Sequence, residues 1–137
     1  MEMPKTSVQT IFTGEMPYTL ENILAMDFLS QILDIRYTAT LREEKGGTYG
    51  VQTSCDASFA PVQTYMLFTI FDTDPAMADE LKQDIVNEIQ KLSEEGVKEE
   101  DLSKIKEYFT KQYPDQIKQN GYWLGTLVNY HLYGYDL

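Results

Sequence analysis

The sequence holds a single histidine, a single cysteine and a single tryptophan in 137 residues. A zinc site draws its ligands chiefly from His and Cys, so neither an H-x-x-E-H motif nor any other two-histidine site can be assembled around His131. The lone thiol, Cys55, likewise excludes an internal disulfide and a cysteine-built metal centre, and it says nothing of the compartment. Basic residues are also scarce. Eleven Lys and Arg face 22 Asp and Glu, a net charge of −11, which repels nucleic acid phosphates and disfavours anionic membrane surfaces. No apolar run approaches the ~20 residues that a helix needs to cross a bilayer, so membrane insertion is not expected. There is no internal repeat and no low-complexity tract. What is present, 42% apolar and 12% aromatic residues, suffices for one core, and the expectation is a single domain over residues 1–137.

The hydrophobic pattern alternates between two periods. Ser7 to Phe12 alternates polar and apolar residues as a half-buried edge strand does, until Gly14 and Pro17 break it. From Thr19, an N-cap candidate, Leu20, Ile23, Leu24, Phe28, Leu29, Ile32, Leu33 and Ile35 recur at helical spacing, predicting a helix to about Glu44 with Gly46 at its C-terminal cap. Thr48 to Phe59 and Val62 to Phe71 are rich in β-branched and aromatic residues, and the Ala60-Pro61 junction between them predicts an antiparallel hairpin. Both faces of the second strand are apolar, as where helices cover one face and another layer covers part of the other.

Asp72 or Asp74 is expected to cap a second helix, with Pro75 at its first position and Met77, Leu81, Ile85, Ile89 and Leu92 on its buried stripe. Gly96 ends it. Glu99, Glu100 and Asp101 suit the start of a third helix, with Leu102, Ile105 and Phe109 inward and a break or kink at Pro114. Gln119 to Tyr133 reads as a last helix, with Trp123, Leu127 and Tyr130 on adjacent turns. The chain closes on an aromatic stretch without a polar tail, and the expectation is a piece of a longer protein whose opening Met1-Glu2-Met3-Pro4 carries no structural weight.

The densest chemistry lies in Leu41 to Val51, LREEKGGTYGV. Arg42 ends a predicted helix and Tyr49 starts a predicted strand seven residues later, across Gly46 and Gly47, which permit a sharp reversal and close backbone approach. A guanidinium fork and a phenol aimed into one space can hold a peptide carbonyl or the oxyanion developing from it. On residue chemistry alone the commoner reading is an exposed helix-end Arg and a Tyr that merely opens a strand.

That string, set between a helix and a strand pair and followed by the acidic helix DTDPAMADEL, resembles the C-terminal, non-metal half of the insulinase and pitrilysin family of zinc metallopeptidases. The resemblance covers roughly Thr19 to Tyr133. It implies an α+β fold, an antiparallel-rich sheet covered by helices on one face, which is half of the mitochondrial-processing-peptidase/insulinase-like metallohydrolase architecture. It implies a parent that hydrolyses peptides in a chamber between two halves, with zinc and the water-activating glutamate carried by the other, N-terminal half. It further implies that Arg42 and Tyr49, around the Gly46-Gly47 bend, bind the peptide substrate, and that this piece alone is inactive. Two alternatives stand beside it: a catalytically dead relative kept for protein contacts, and a free-standing α+β binding module.

The remaining candidates favour ordinary roles. Glu43 and Lys45 read as solvated neighbours of the bend, and Glu44 as a partner for a basic residue one turn back. His131 lacks an assignable nucleophile or orienting carboxylate, and Cys55 reads as a quiet, packed thiol. The run Glu94-Glu95 and Glu99-Glu100-Asp101 lacks the ligand order and central glycine of a calcium loop and reads as a solvated helix junction. Tyr122, Trp123, Tyr130, Tyr133 and Tyr135 are expected to divide between core and a surface that the other half covers.

Overall fold

In a computed structural model of the chain, which describes residues 4–134, two compact units follow one another, the first running to Lys98 and the second starting at Glu99. The first is α+β. Strands β1 (Thr6–Glu15), β2 (Thr48–Ser58) and β3 (Thr64–Thr73) form an antiparallel sheet in the order β1-β3-β2. The expected hairpin is therefore present, and β1 is an edge strand that pairs with β3 from Thr6↔Thr73 to Glu15↔Thr64. Residues that alternate along each strand share a face across all three, so Val8, Val51, Leu67 and Phe71 point together to the interior. The opposite face carries Ile11, Met66, Phe68 and Ile70, with Ile11 and Met66 exposed.

Helices α1 (Leu20–Tyr37) and α2 (Ala78–Glu95) cover the interior face, α1 packing along β2 and α2 reaching β1. Thr19 caps α1 as its sequence position suggests, its hydroxyl accepting from the Asn22 N–H at 3.2 Å. The buried stripe matches the expected one at Ile32 and Leu33 but not at Leu20, Leu24 and Ile35, which are exposed; it continues instead through Tyr37 and Leu41, which with Leu33 are spaced by four and fully buried. Arg36 and Tyr37 interrupt the apolar pattern yet turn inward because each finds a polar partner on α2. Arg36 donates to the Gly96 carbonyl at 3.3 Å and lies 4.0 Å from the Glu88 carboxylate, and the Tyr37 hydroxyl donates to the Ile85 carbonyl at 3.3 Å. Leu81, Ile85 and Leu92 form the buried stripe of α2 as expected, and Gly96, at φ +76°, ends it.

The start of α2 is a correction. Asp74 does not cap the helix itself. It opens a turn in which its carboxylate accepts from the Ala76 N–H at 2.8 Å and its carbonyl from Met77 at 2.9 Å, so the helix begins after Pro75.

The second unit is a pair of helices, α3 (Glu99–Gln116) and α4 (Asn120–Tyr133). Pro114 does not break α3, which ends two residues later. The Trp123 indole N–H donates to the Ile117 carbonyl at 2.7 Å across the turn that joins the helices. Tyr113, Tyr122 and Trp123 stack edge to face. The expectation that part of the α4 aromatic group builds core is not met: no described residue of α4 is buried, and Trp123, Leu124, Leu127, Val128, Tyr130 and Leu132 are all exposed. Tyr135 lies outside the described residues.

Candidate functional site

The expected helix to Glu44 is continuous, but its last two turns, Thr38–Glu44, are π-helical. Lys45 N–H bonds to Thr40 five residues back, and the two closing bonds run from Gly46 to Arg42 and from Gly47 to Leu41. That is a Schellman closure with each bond lengthened by one residue, as the wider π turn requires. Gly46 sits at φ +61°, where a side chain is strained, and Gly47 passes so close to α2 that a Cβ there would lie 2.7 Å from Leu81 Cδ1. The diglycine bend thus has two separate physical causes, one conformational and one of packing.

Beyond the bend, Thr48 is buried and begins β2 opposite Thr73, while Val51 opposes Phe71. Tyr49 and Gly50 together face Asp72, which makes a β-bulge. The Thr48 hydroxyl stitches it, donating to the Gly50 carbonyl at 3.0 Å and accepting from the Gly50 N–H at 3.3 Å. The bulge returns Val51 to the buried face and leaves the Tyr49 side chain 91% exposed. Tyr49 stands between two recesses: a cleft of about 430 Å³ bounded by the diglycine bend, Asp74 and Met77, and a shallower groove of about 600 Å³ along β2 and β3. Lys5, Thr48 and Asp72 line both. The Lys5 ammonium lies 5.7 Å from the centroid of the Tyr49 ring, and the Asp72 carboxylate accepts a hydrogen bond from Ser7 across the β1-β3 pair.

Of the residues that sequence reasoning proposed, Gly46, Gly47 and Tyr49 are brought together on one cleft. Arg42, exposed on the π-helical segment, is not among the residues lining it. Lys45 is more than a solvated neighbour: its ammonium lies 2.6 Å from both the Glu80 and the Asp84 carboxylates of α2, which hold its pKa above the usual lysine value, Asp84 foremost. Lys5, Asp72 and Asp74 were missed as site residues, because only the strand register carries positions 5 and 72 to the same edge as 49.

The described residues do not fit a zinc ion. His131 is exposed on α4, and no group of three or more His, Cys, Asp or Glu side chains among the described residues is placed to hold a metal. Burial pushes the Cys55 thiol up to about 11, with the charge of Asp27 adding to it and a Ser30 hydrogen bond opposing it, so the thiol is not a nucleophile at neutral pH. Among the described residues no helix is long and apolar enough to cross a membrane.

Comparison with known proteins agrees with this architecture. The model of a family described as the peptidase M16 inactive domain matches residues 1–109. Over 114 residues the chain is 28% identical to a "Zinc protease PQQL-like" of Arabidopsis thaliana, an alignment that covers 80% of this chain and 12% of that protein. The periplasmic protease PqqL from Escherichia coli superposes with a TM-score of 0.81 at 19% identity, over 95% of this chain and 14% of that one. A peptidase M16 inactive domain from Pseudomonas fluorescens superposes with a TM-score of 0.72 at 20% identity, over 97% and 32%. At such identities the two structures establish the fold. With residues 1–109 of its 137 under the family model and the α+β architecture shared, the chain belongs to the peptidase M16 inactive-domain family.

Proposed function

We propose that this domain is the substrate-facing, metal-free half of a zinc metalloendopeptidase, holding a peptide against a second, N-terminal half that carries the metal and the water-activating carboxylate. The relative named as a zinc protease is several times longer than this chain, which spans 12% of it, so the catalytic machinery is assigned to sequence outside it. The observation that carries the proposal is the placement of Tyr49: a phenol held out from a bulged strand at the mouth of a cleft, on a backbone fixed by the diglycine bend.

Such a phenol is free to donate a hydrogen bond to a carbonyl oxygen as negative charge develops on it, and a rigid support costs little reorganisation at that moment. Arg42, exposed one helical turn before the bend, is assigned the role of a peptide anchor by the family resemblance and not by the lining of the cleft. Alone, the domain is inactive.

The test uses the intact parent protein. Tyr49→Phe and Arg42→Ala are expected each to lower kcat/KM for peptide hydrolysis by on the order of 10²-fold. Peptidase kinetics unchanged in both variants would remove the role assigned to the pair and favour a domain retained for protein contacts.

A further inference from the structure

The residues around the Tyr49 ring share a property that the hydrolytic reading does not require: apart from the chain's own Lys5, the charged side chains lining the cleft are acidic. We propose that this cleft is a subsite for a cationic side chain, Lys or Arg, of the bound peptide, a specificity that rests on the substrate-facing role proposed above.

Three observations support it. The Lys5 ammonium already lies over the Tyr49 ring at 5.7 Å, so the π face accepts a cation in the folded domain. Asp72 and Asp74 line the same cleft. Their known hydrogen bonds, to Ser7 and to the Ala76 N–H, each use Oδ1, and a carboxylate has further lone pairs for a second donor. The third is the walls: Met77, Gly47 and the Tyr49 ring give an apolar sleeve along which the methylene stem of a long cationic side chain packs while its head reaches the carboxylates. Lys45, the nearest other cation in sequence, does not compete for Asp72 or Asp74, because Glu80 and Asp84 hold it.

The Lys5 contact then acts as an internal stand-in, displaced when a peptide cation enters. An acidic peptide side chain would meet two carboxylates instead, and a neutral one of equal length would gain only the stem packing. For an open cleft these contacts together amount to about tenfold in discrimination, since exposed ion pairs and cation–π contacts are each modest.

The parent protein is assayed against a fluorogenic peptide series in which each position in turn carries Lys, norleucine or Glu. The expected result is one position at which Lys exceeds norleucine in kcat/KM by about tenfold and Glu falls below both. The ratio should narrow between 0.1 and 1 M salt as the screening length falls from about 10 to about 3 Å. In the Asp72→Asn/Asp74→Asn double variant, which keeps the oxygen acceptors, the Lys to norleucine ratio should collapse toward one. A wild-type enzyme without such a position, or a preference that survives the double variant, overturns the subsite.

Tyr49→Phe separates this outcome from failure of the broader reading. It retains the ring, so the ratio persists while the rates for both peptides fall. Unchanged rates with the ratio intact would leave the subsite standing and remove the phenol from the chemistry.

Discussion

The Thr73 hydroxyl donates to the Gly47 carbonyl at 2.6 Å in the buried interior, joining the last residue of β3 to the second glycine of the bend. This bond completes a closed frame. The Gly47 N–H returns to Leu41, Leu81 leaves no room for a Cβ on it, and its carbonyl is held by the strand that also carries Asp72. The position of Tyr49, two residues on, is set by this frame and not by contacts of its own side chain, which is almost wholly in solvent.

The two glycines should therefore fail differently on substitution. Gly46→Ala meets no atom within 4 Å and suffers only from φ +61°, a cost of about 1 kcal/mol. Gly47→Ala has an ordinary backbone conformation but drives a Cβ into Leu81 and Met77, and overpacking of this kind costs about 1–3 kcal/mol. Urea denaturation of the two variants should thus show a larger loss of midpoint for Gly47→Ala. It should also show that Gly47→Ala combined with Leu81→Val, which trims the obstructing side chain, is less than additive, as contacting positions are. Additive losses would show that Leu81 is not the obstacle.

A second expectation concerns three threonines in one row. Thr10 and Thr53 both pair in register with Thr69 on the central strand, and the hydroxyls of all three are buried without a partner among the described residues. Thr69 is fully buried. An unmet buried hydroxyl costs about 1–3 kcal/mol, so Thr69→Val, which keeps the branched shape, should raise the urea midpoint by the equivalent of about 1 kcal/mol. A fall instead would mean that the row bonds internally or to enclosed water.

Much of the first unit was legible because its period changes are clean: alternation in β1 and β3, four-residue spacing in α2, and turn residues between them. The Thr19 cap and the Gly46 and Gly96 stops follow from local backbone chemistry, which a sequence states directly. The inward turn of Arg36 and Tyr37 was not legible, because burial of a polar side chain depends on the partner that meets it, and Gly96, Glu88 and Ile85 lie about fifty or sixty positions away. The same holds for the cleft. The string LREEKGGTYGV shows the bend, the guanidinium and the phenol, but Lys5 and Asp72 join Tyr49 only through the register Thr6↔Thr73 and the bulge opposite Asp72. The apolar residues of α4 predicted a helix correctly, but the share of them expected in a core is not buried, since apolar content at helical spacing does not say whether anything covers it.

Alkaline pH should loosen the sheet in two stages, and the sign follows from linkage. The Cys55 thiol stands at about 11 in the folded chain against an ordinary 9.0, chiefly because burial penalises the thiolate. Between those values the unfolded chain has released a proton that the folded chain keeps, so stability is intact below about pH 9 and falls as pH rises toward 11. The Tyr37 phenol is also raised, by burial first and by the Glu88 charge second, from an ordinary 10.0; its contribution is therefore lost from about pH 10 upward. Urea midpoints measured at intervals from pH 8 to 11 should fall for the wild type and fall less steeply between 9 and 10 for Cys55→Ala, which has no thiol to ionise. Lys45 does not confuse the comparison, because its two carboxylate partners hold its pKa above the ordinary 10.5 and its ion pairs persist through the window from 9 to 10. Equal slopes for the two proteins would show that the Cys55 thiol ionises as readily in the folded sheet as in the open chain.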